Sequence, residues 1–111
     1  MKDTITFEEF SKVDIRIGTI IKVADFKKAR KPAYQIHIDF GALGIKKTSA
    51  QITVLYTKDE LLNKQVLAVV NFEPKQIANF MSECLILGIQ NGAEVVLLKT
   101  DDNVKNGSVV S

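Results

Sequence analysis

Apolar and polar residues alternate with a period of two near the start of the chain. In segment 13–23 the apolar-facing set comprises Val13, Ile15, Ile17, Thr19, Ile21 and Val23. This spacing predicts a half-buried β-strand. Eleven residues are many for one strand, and Gly18 lies in the middle, where a missing side chain permits a bend or bulge. A long bent strand can serve two sheets of a small barrel.

Further strands follow at short intervals. Segment 33–40 alternates again, segment 45–52 contains a polar stretch, and segment 65–72 is a near-continuous apolar run that predicts a buried central strand. Segments 85–90 and 94–99 flank Asn91-Gly92, a dipeptide that favours a type I′ hairpin turn. A second Asn-Gly pair precedes the terminal Val109-Val110.

One short helix is predicted between the third and fourth strands. Thr57-Lys58-Asp59-Glu60 matches a capping box, in which Thr57 accepts from a free backbone amide and Glu60 reaches back to the residue before the helix. Leu61 and Leu62 supply its apolar side.

These elements predict an all-β fold in one domain spanning residues 1–111, which is long enough for a single core. The bent first strand and the position of the helix favour a five-stranded Greek-key barrel of the oligonucleotide/oligosaccharide-binding (OB) type, with a C-terminal extension. A β-sandwich is the competing architecture.

The composition excludes several function classes. One cysteine, Cys84, and one histidine, His37, leave no intrachain disulfide and no multi-histidine metal site. No glycine-rich phosphate loop is present. We therefore expect a binding protein without catalytic residues, metal or cofactor, and an enzyme is a distant alternative. No apolar stretch approaches the ~20 residues of a membrane span, so we expect a cytoplasmic protein without membrane insertion.

Positive charge is concentrated in the middle of the chain. The net charge is only +2, but residues 22–75 contain ten basic and five acidic side chains. Such a region attracts phosphate backbones or acidic partners, although it can also be a solvated loop. The residues available for RNA binding are Lys27, Lys28, Arg30, Lys31, Lys46, Lys47 and Lys75, with Ser49, Gln51, Asn71 and Ser82 as hydrogen-bonding groups.

A second candidate surface is apolar. Phe72, Ile77, Phe80 and Met81 lie in a stretch whose proline and polar residues argue against a buried strand. Exposed Phe and Met side chains can form an adaptable groove for unfolded segments or a subunit contact. The alternative is that they close one end of the barrel. We predict peptide binding at Phe72, Phe80 and Met81.

Several separated motifs resemble the tRNA-binding domain family. They are Asp14-Ile15-Arg16-Ile17-Gly18-Thr19-Ile20, Ser49-Ala50-Gln51-Ile52, Val69-Val70-Asn71-Phe72, Ile77-Ala78-Asn79-Phe80 and Ser82-Glu83-Cys84-Leu85-Ile86-Leu87-Gly88. Within the family, the Asp39-Phe40-Gly41 turn and the ending Val104-Lys105-Asn106-Gly107 are similar to bacterial chaperones associated with protein export. Motifs in the right order with similar spacing are more specific than one short pattern.

The resemblance implies an OB-fold homodimer that binds unfolded preproteins and the export ATPase SecA. It also implies that Ser49, Gln51, Asn71, Ser82 and Glu83 lie near an RNA-binding face, with Lys46 and Lys75 beside them. Many tRNA-binding relatives have Ser-Glu-Gly-Met where this chain has Ser82-Glu83-Cys84-Leu85. Two hypotheses follow, a dimeric export chaperone and, alternatively, a tRNA-binding module. The apolar tail 104–110 favours self-association in either case.

Overall fold

The computed structural model describes all 111 residues and consists mainly of short antiparallel strands. Its elements are α1 (Phe7–Ser11), β1 (Ile15–Asp25), β2 (Tyr34–Asp39), a 3₁₀ turn (Gly41–Leu43), β3 (Ile45–Ala50), α2 (Lys58–Leu61), β4 (Gln65–Val69), β5 (Lys75–Ile77), β6 (Phe80–Ser82), β7 (Leu85–Ile86), β8 (Gly88–Asn91), β9 (Glu94–Leu97) and β10 (Val109–Val110). None of the helices is long and apolar enough to cross a membrane.

The main sheet has the strand order β3-β2-β1-β4-β7 and curls into a nearly closed OB-type barrel. The first half of β1 pairs with β4, from Ile15 opposite Val69 to Thr19 opposite Gln65, and its second half pairs with β2. β10 pairs with β1 at Ile15 and Arg16, just before the β2 pairing begins. The prediction of a five-stranded barrel with a long first strand and a C-terminal extension is confirmed.

The irregularity in β1 lies after Gly18, at Ile21, where the register with β2 shifts between Ile20 and Lys22. The extra residue reverses the alternation of faces. Gly18 and Ile20 face the core before this residue and Val23 faces it afterwards. Ile20 is fully buried, whereas Ile21, which we predicted to face the core, is 41% exposed. Gly18 has a different role, because a Cβ there would lie 2.5 Å from Ile38 Cγ2 and 2.8 Å from the Phe40 ring. The glycine lets β1 approach the core closely.

The barrel is closed by a polar contact between β3 and the segment after β6. The Glu83 N–H donates to the Lys47 carbonyl at 2.8 Å, and the Thr48 hydroxyl donates to the Cys84 carbonyl at 2.6 Å. The largest fully buried side chains enclosed by the barrel are Phe40, Ile20, Ile36, Ile38, Leu61, Val66 and Thr48. A separate small cluster outside it joins Phe26, Ala33 and Phe80.

Two short helices are present where we predicted one. α2 begins at the predicted capping box, since Thr57 Oγ1 accepts from the Glu60 N–H and Glu60 accepts from the Thr57 N–H. α1 begins at an equivalent box formed by Thr6 and Glu9, and we did not predict this helix. α1 buries none of its residues, whereas α2 buries Leu61 in the core.

The hairpin β8–β9 has a two-residue turn, but the turn is Gly92-Ala93. Asn91 pairs with Glu94, and only Gly92 in the turn has a positive φ, at 64°. A type I′ turn needs two such residues, so the prediction of a type I′ turn at Asn91-Gly92 was wrong. The second Asn-Gly pair packs Gly107 against the Phe40 carbonyl, where a Cβ would lie 2.5 Å from that oxygen.

Candidate binding groove

A groove lies between the β1–β2 loop (residues 26–33), the end of β3 and the β5–β6 hairpin. It consists of two adjoining cavities of about 580 Å³ each, which share Ser49, Lys75 and Ile77. The basic end is lined in addition by Ala29, Arg30, Lys31, Ala33, Gln51 and Gln76. The apolar end is lined in addition by Phe72, Glu73, Ser82, Cys84 and Leu85.

Packing of aromatic rings holds the two walls of the groove together. The Phe26 N–H donates to the Ala33 carbonyl at 3.1 Å and closes the loop at its base. The Phe26 ring then packs on Phe80 of the hairpin, with ring centroids 5.4 Å apart at 57°. This tilted arrangement is a favourable geometry for an aromatic pair. The loop that contains the basic run is thereby fixed beside the hairpin.

The basic end has an unbalanced positive charge. Arg30, Lys31 and Lys75 form no salt bridge, because the chain's two salt bridges join Arg16 to Asp14 and Lys58 to Asp25. Lys27 and Lys28 are exposed in the same loop but do not line the groove. Unpaired cations on one wall attract phosphate or carboxylate groups. The structure therefore brings together Arg30, Lys31, Lys75, Ser49 and Gln51 of the predicted RNA-binding set.

The apolar end exposes large side chains to solvent. Phe72 is 57% exposed and Leu85 is 49% exposed, and both line the cavity. Cys84 forms part of the wall, and burial raises the pKa of its thiol to about 11. The thiol is therefore neutral near pH 7 and adds to the apolar surface. This end can accept an apolar side chain or a planar base.

Ser82 and Glu83, which we predicted near the RNA face, have most of their polar groups engaged within the chain. Ser82 Oγ accepts from the Ser49 N–H at 3.2 Å and lies 3.1 Å from Thr48 Oγ1. Glu83 Oε1 accepts from the Lys47 N–H at 3.0 Å. Both residues hold the closure between β3 and the segment after β6. The polar pair Ser82-Glu83 therefore has a structural role in this fold.

Asn71 lies outside the groove. Its Oδ1 accepts from the Asp14 N–H at 3.0 Å, and its Nδ2 donates to the Lys12 carbonyl at 2.7 Å. The side chain thus fixes the entry into β1. It lines a different cavity with Phe10 and Val109, so the structure separates it from the other predicted RNA-binding residues.

Lys46 and Lys47 do not form one patch, because adjacent residues of β3 point to opposite faces. Lys47 lies opposite His37 on the outer face of the sheet, and its Nζ is 5.2 Å from the centroid of the Phe80 ring. Lys46 lies opposite Ile38, a core residue, on the inner face. Neither lysine lines the groove.

The predicted peptide-binding set is divided in the same way. Phe80 is only 7% exposed because it packs on Phe26, so its ring does not offer an open surface to a peptide. Met81 is 40% exposed, but it points to the other face of the hairpin and does not line the groove. Phe72 alone remains in an accessible position at the groove.

A second exposed surface lies at the chain ends. The α1–β10 face, as we name it, contains Phe7, Phe10, Val13, Val109 and Val110 around a cavity of about 450 Å³. Phe7 is 83% exposed and Val109 is 60% exposed. The capping box at Thr6 and Glu9 is the sequence signal that could have predicted the helix on this face.

The chain offers no group of three His, Cys, Asp or Glu side chains that could hold a metal ion. Arg16 and Asp14 form an ion pair, with Arg16 Nε 2.6 Å from Asp14 Oδ1. Arg16 also donates to the Gly107 carbonyl at 3.0 Å, so this pair fastens the C-terminal extension to β1. These polar groups support the fold.

The residues that line the groove and close the barrel lie within one stretch of the chain that matches a known family. A sequence model for the family described as "Putative tRNA binding domain" matches residues 15–109, from the start of β1 into β10. The chain belongs to the tRNA-binding domain family. The predicted resemblance is thereby confirmed for the whole barrel of this tRNA-binding domain.

Two solved chaperone structures are similar to this tRNA-binding domain over almost its full length. The chaperone CsaA from Bacillus anthracis is 45% identical, with a TM-score of 0.93, and the match covers 98% of this chain and 100% of that one. The CsaA chaperone protein from Picrophilus torridus is 54% identical, with a TM-score of 0.92, and the match covers 97% and 100%.

Curated relatives include much longer enzymes. The methionine–tRNA ligase of Pyrococcus furiosus is 40% identical over 106 residues, which are 96% of this chain and 14% of the ligase. The chain thus spans only a small part of the ligases that it matches. The shared part is a tRNA-binding domain, and the catalytic activity of the ligases belongs to the longer proteins.

Proposed function

We propose that this protein is a CsaA-like dimeric chaperone that binds unfolded preproteins for export, without catalytic activity. The observation that supports it is the groove, which has exposed Phe72 and Leu85 at one end and unpaired cations at the other. Its likeness to two CsaA chaperones extends through the elements that form this groove. We expect the activity in the cytoplasm, with SecA as a partner.

Unfolded export substrates present apolar side chains that a folded protein would bury. A groove with an apolar floor can take these side chains, while the cations at the other end accelerate encounter with acidic segments. Such binding depends on burial of apolar surface more than on charge, so moderate salt should weaken it little.

The test uses two exposed apolar positions on opposite sides of the same hairpin region. A labelled unfolded preprotein segment is titrated by fluorescence anisotropy with wild type, Phe72→Asp and the control Met81→Asp. We expect about a tenfold or greater loss of affinity in Phe72→Asp, since a buried charge opposes apolar contact, and little change in Met81→Asp. Equal affinities for all three proteins would contradict peptide binding in the groove.

A second candidate function is binding of tRNA, which family membership and the unpaired cations of the basic end favour. Arg30, Lys31 and Lys75 would contact phosphates, and Phe72 would stack on an accessible base. Because phosphate contacts release counterions, affinity should fall steeply between about 50 and 200 mM salt.

Charge reversal tests the RNA hypothesis separately. We expect Arg30→Glu and Lys75→Glu to weaken binding of labelled bulk tRNA and to reduce its salt dependence. Lys105→Glu is the matched control, because Lys105 lines a separate hollow with Phe40 and Leu43. If the groove variants bind tRNA as the control does, RNA binding in the groove is wrong.

The dimer contact is proposed at the α1–β10 face. Its exposed apolar side chains come from α1, from Val13 and from β10, and they surround one cavity beside the pairing of β10 with β1. Burying such a patch against a second copy is a common basis of two-fold association. Light scattering after size exclusion should show a dimer for wild type and for Val54→Asp, and a monomer for Phe7→Asp. A wild-type monomer, or a dimeric Phe7→Asp, would contradict this assignment.

A further inference from the structure

One row of basic side chains outside the groove has no role in the fold described above. The register places Lys22 of β1 opposite His37 of β2, and His37 opposite Lys47 of β3. All three share the outer face of the sheet, because core residues such as Ile36 and Ile38 occupy the alternate positions of β2. We name this row, Lys22–His37–Lys47, the cross-strand strip. Neighbouring strands are about 4.8 Å apart, so the strip spans about 10 Å.

One ring nitrogen of the histidine at the centre of the strip has no hydrogen-bond partner. His37 Nδ1 is buried without a hydrogen-bond partner, and it is the one such side-chain atom in the chain. A buried polar atom without a partner calls for an explanation, since nearly all such atoms in folded proteins are paired. Neither lysine of the strip is in a salt bridge. The two ammonium groups of the strip therefore lie on the outer face of the sheet without a salt-bridge partner.

The strip is continuous with the basic end of the groove. Lys47 lies two residues from Ser49 on the same face of β3, and Ser49 lines both halves of the groove. The Lys47 ammonium lies over the Phe80 ring, and Phe80 packs on Phe26 at the base of the basic loop. A ligand that leaves the groove along β3 therefore meets the strip next.

We propose that Lys22, His37 and Lys47 form a second phosphate-binding surface, which engages the RNA backbone beyond the groove and binds it more tightly as His37 takes up a proton. This inference rests on the RNA-binding candidate function. A regularly charged polyanion suits the row better than an acidic polypeptide, because its phosphates recur along the whole backbone and can reach the groove and the strip together.

The charged groups around His37 determine the direction of the pH effect. Lys22 and Lys47 flank it from the neighbouring strands, Glu83 faces it from the segment after β6, and Asp39 shares its face on β2. Burial, then Lys22 and Lys47, lower the pKa of His37, and Glu83 opposes them. The free protein thus holds a neutral imidazole near pH 7. A bound phosphate would favour the imidazolium, so RNA binding should take up a proton and strengthen in acid.

The experiment measures the affinity of the full chain for labelled bulk tRNA at about pH 8 and pH 5.5, where histidine changes charge. For wild type we expect affinity to rise up to about tenfold on acidification, which corresponds to about one unit of pKa change on binding. In His37→Gln this ratio should fall to near one. In Lys22→Gln the slope of log affinity against log salt should decrease by about one.

Controls separate the strip from the groove. Lys105→Gln should keep the wild-type affinity, pH ratio and salt slope. Arg30→Glu should bind weakly at both pH values while keeping the pH ratio, and an unchanged affinity there would contradict RNA binding in the groove itself. A wild-type pH ratio in His37→Gln would overturn the strip proposal alone. The strip proposal would also be overturned if acid strengthened the binding of polyglutamate but not that of tRNA. The strip would then bind acidic polypeptides.

Discussion

Thr48 shows how one polar side chain can determine the geometry of a binding face. It is the one fully buried polar residue of the core, and its hydroxyl donates to the Cys84 carbonyl at 2.6 Å. The same hydroxyl lies 3.1 Å from Ser82 Oγ, which in turn accepts from the Ser49 N–H. The chain of contacts joins β3 to the segment that forms one wall of the groove. Loss of this hydroxyl should therefore affect stability and groove shape together.

Replacement of Thr48 by valine tests this role. Thr48→Val keeps the shape of the side chain but leaves the Cys84 carbonyl without its donor, so we expect a loss of about 1–3 kcal/mol in the free energy of unfolding. Urea denaturation followed by circular dichroism measures it. Ser49→Ala is the control, because the Ser49 contact with Ser82 uses the backbone N–H. A Thr48→Val variant as stable as wild type would show that the hydroxyl does not hold the closure.

Cys84 predicts a pH dependence of stability at the alkaline end. Burial raises the pKa of its thiol to about 11 in the folded chain, above the ~8.5 expected in an unfolded chain. The folded state therefore holds the proton more tightly. Its contribution to stability is fully present below about pH 8.5 and is lost as the pH rises towards 11.

The measurement is urea denaturation at several pH values across this range, for wild type and Cys84→Ala. Wild type should lose stability relative to the variant as the pH rises. Parallel pH profiles for the two proteins would show that the thiol titrates normally in the folded state.

Among the helices and strands, local sequence signals predict an element well when the contacts that stabilise it lie within a few residues of each other in the chain. The capping box at Thr57 and Glu60 predicted the start of α2, and the same rule applied to Thr6 and Glu9 would have predicted α1. The bulge at Ile21 depends on the register between β1 and β2, which sequence periodicity alone does not fix.

The two helices allow a comparison of capping within one chain. Thr57→Ala should lower the free energy of unfolding by about 1 kcal/mol. Leu61 of α2 is fully buried in the core, so loss of the helix cap destabilises the whole domain. Thermal denaturation measures the change. Lys58→Ala is the control and should leave stability unchanged, since its contact with Asp25 is exposed. An unaltered Thr57→Ala variant would mean that α2 folds independently of its cap.

At the scale of the whole molecule, the site depended on contacts between distant parts of the sequence. The sequence predicted Arg30, Lys31, Ser49, Gln51, Lys75 and Phe72 as binding residues, and the fold brings these six around one groove. Phe80 is buried because its ring packs on Phe26. Asn71 fixes the start of β1 because its side chain accepts a hydrogen bond from the Asp14 N–H. Residue type and local pattern do not identify such tertiary partners, so the structural roles of Phe80 and Asn71 could not be predicted.

We propose that one groove between the basic loop and the β5–β6 hairpin binds the ligands of this protein. The most direct measurement is a ¹H–¹⁵N NMR titration of the full chain with an unfolded preprotein segment and, separately, with tRNA. We predict the largest shifts or line broadening at the backbone amides of Arg30, Lys75, Ile77 and Phe72, for one ligand or both. Changes confined to the α1–β10 face, with these four amides unaffected by either ligand, would contradict the account.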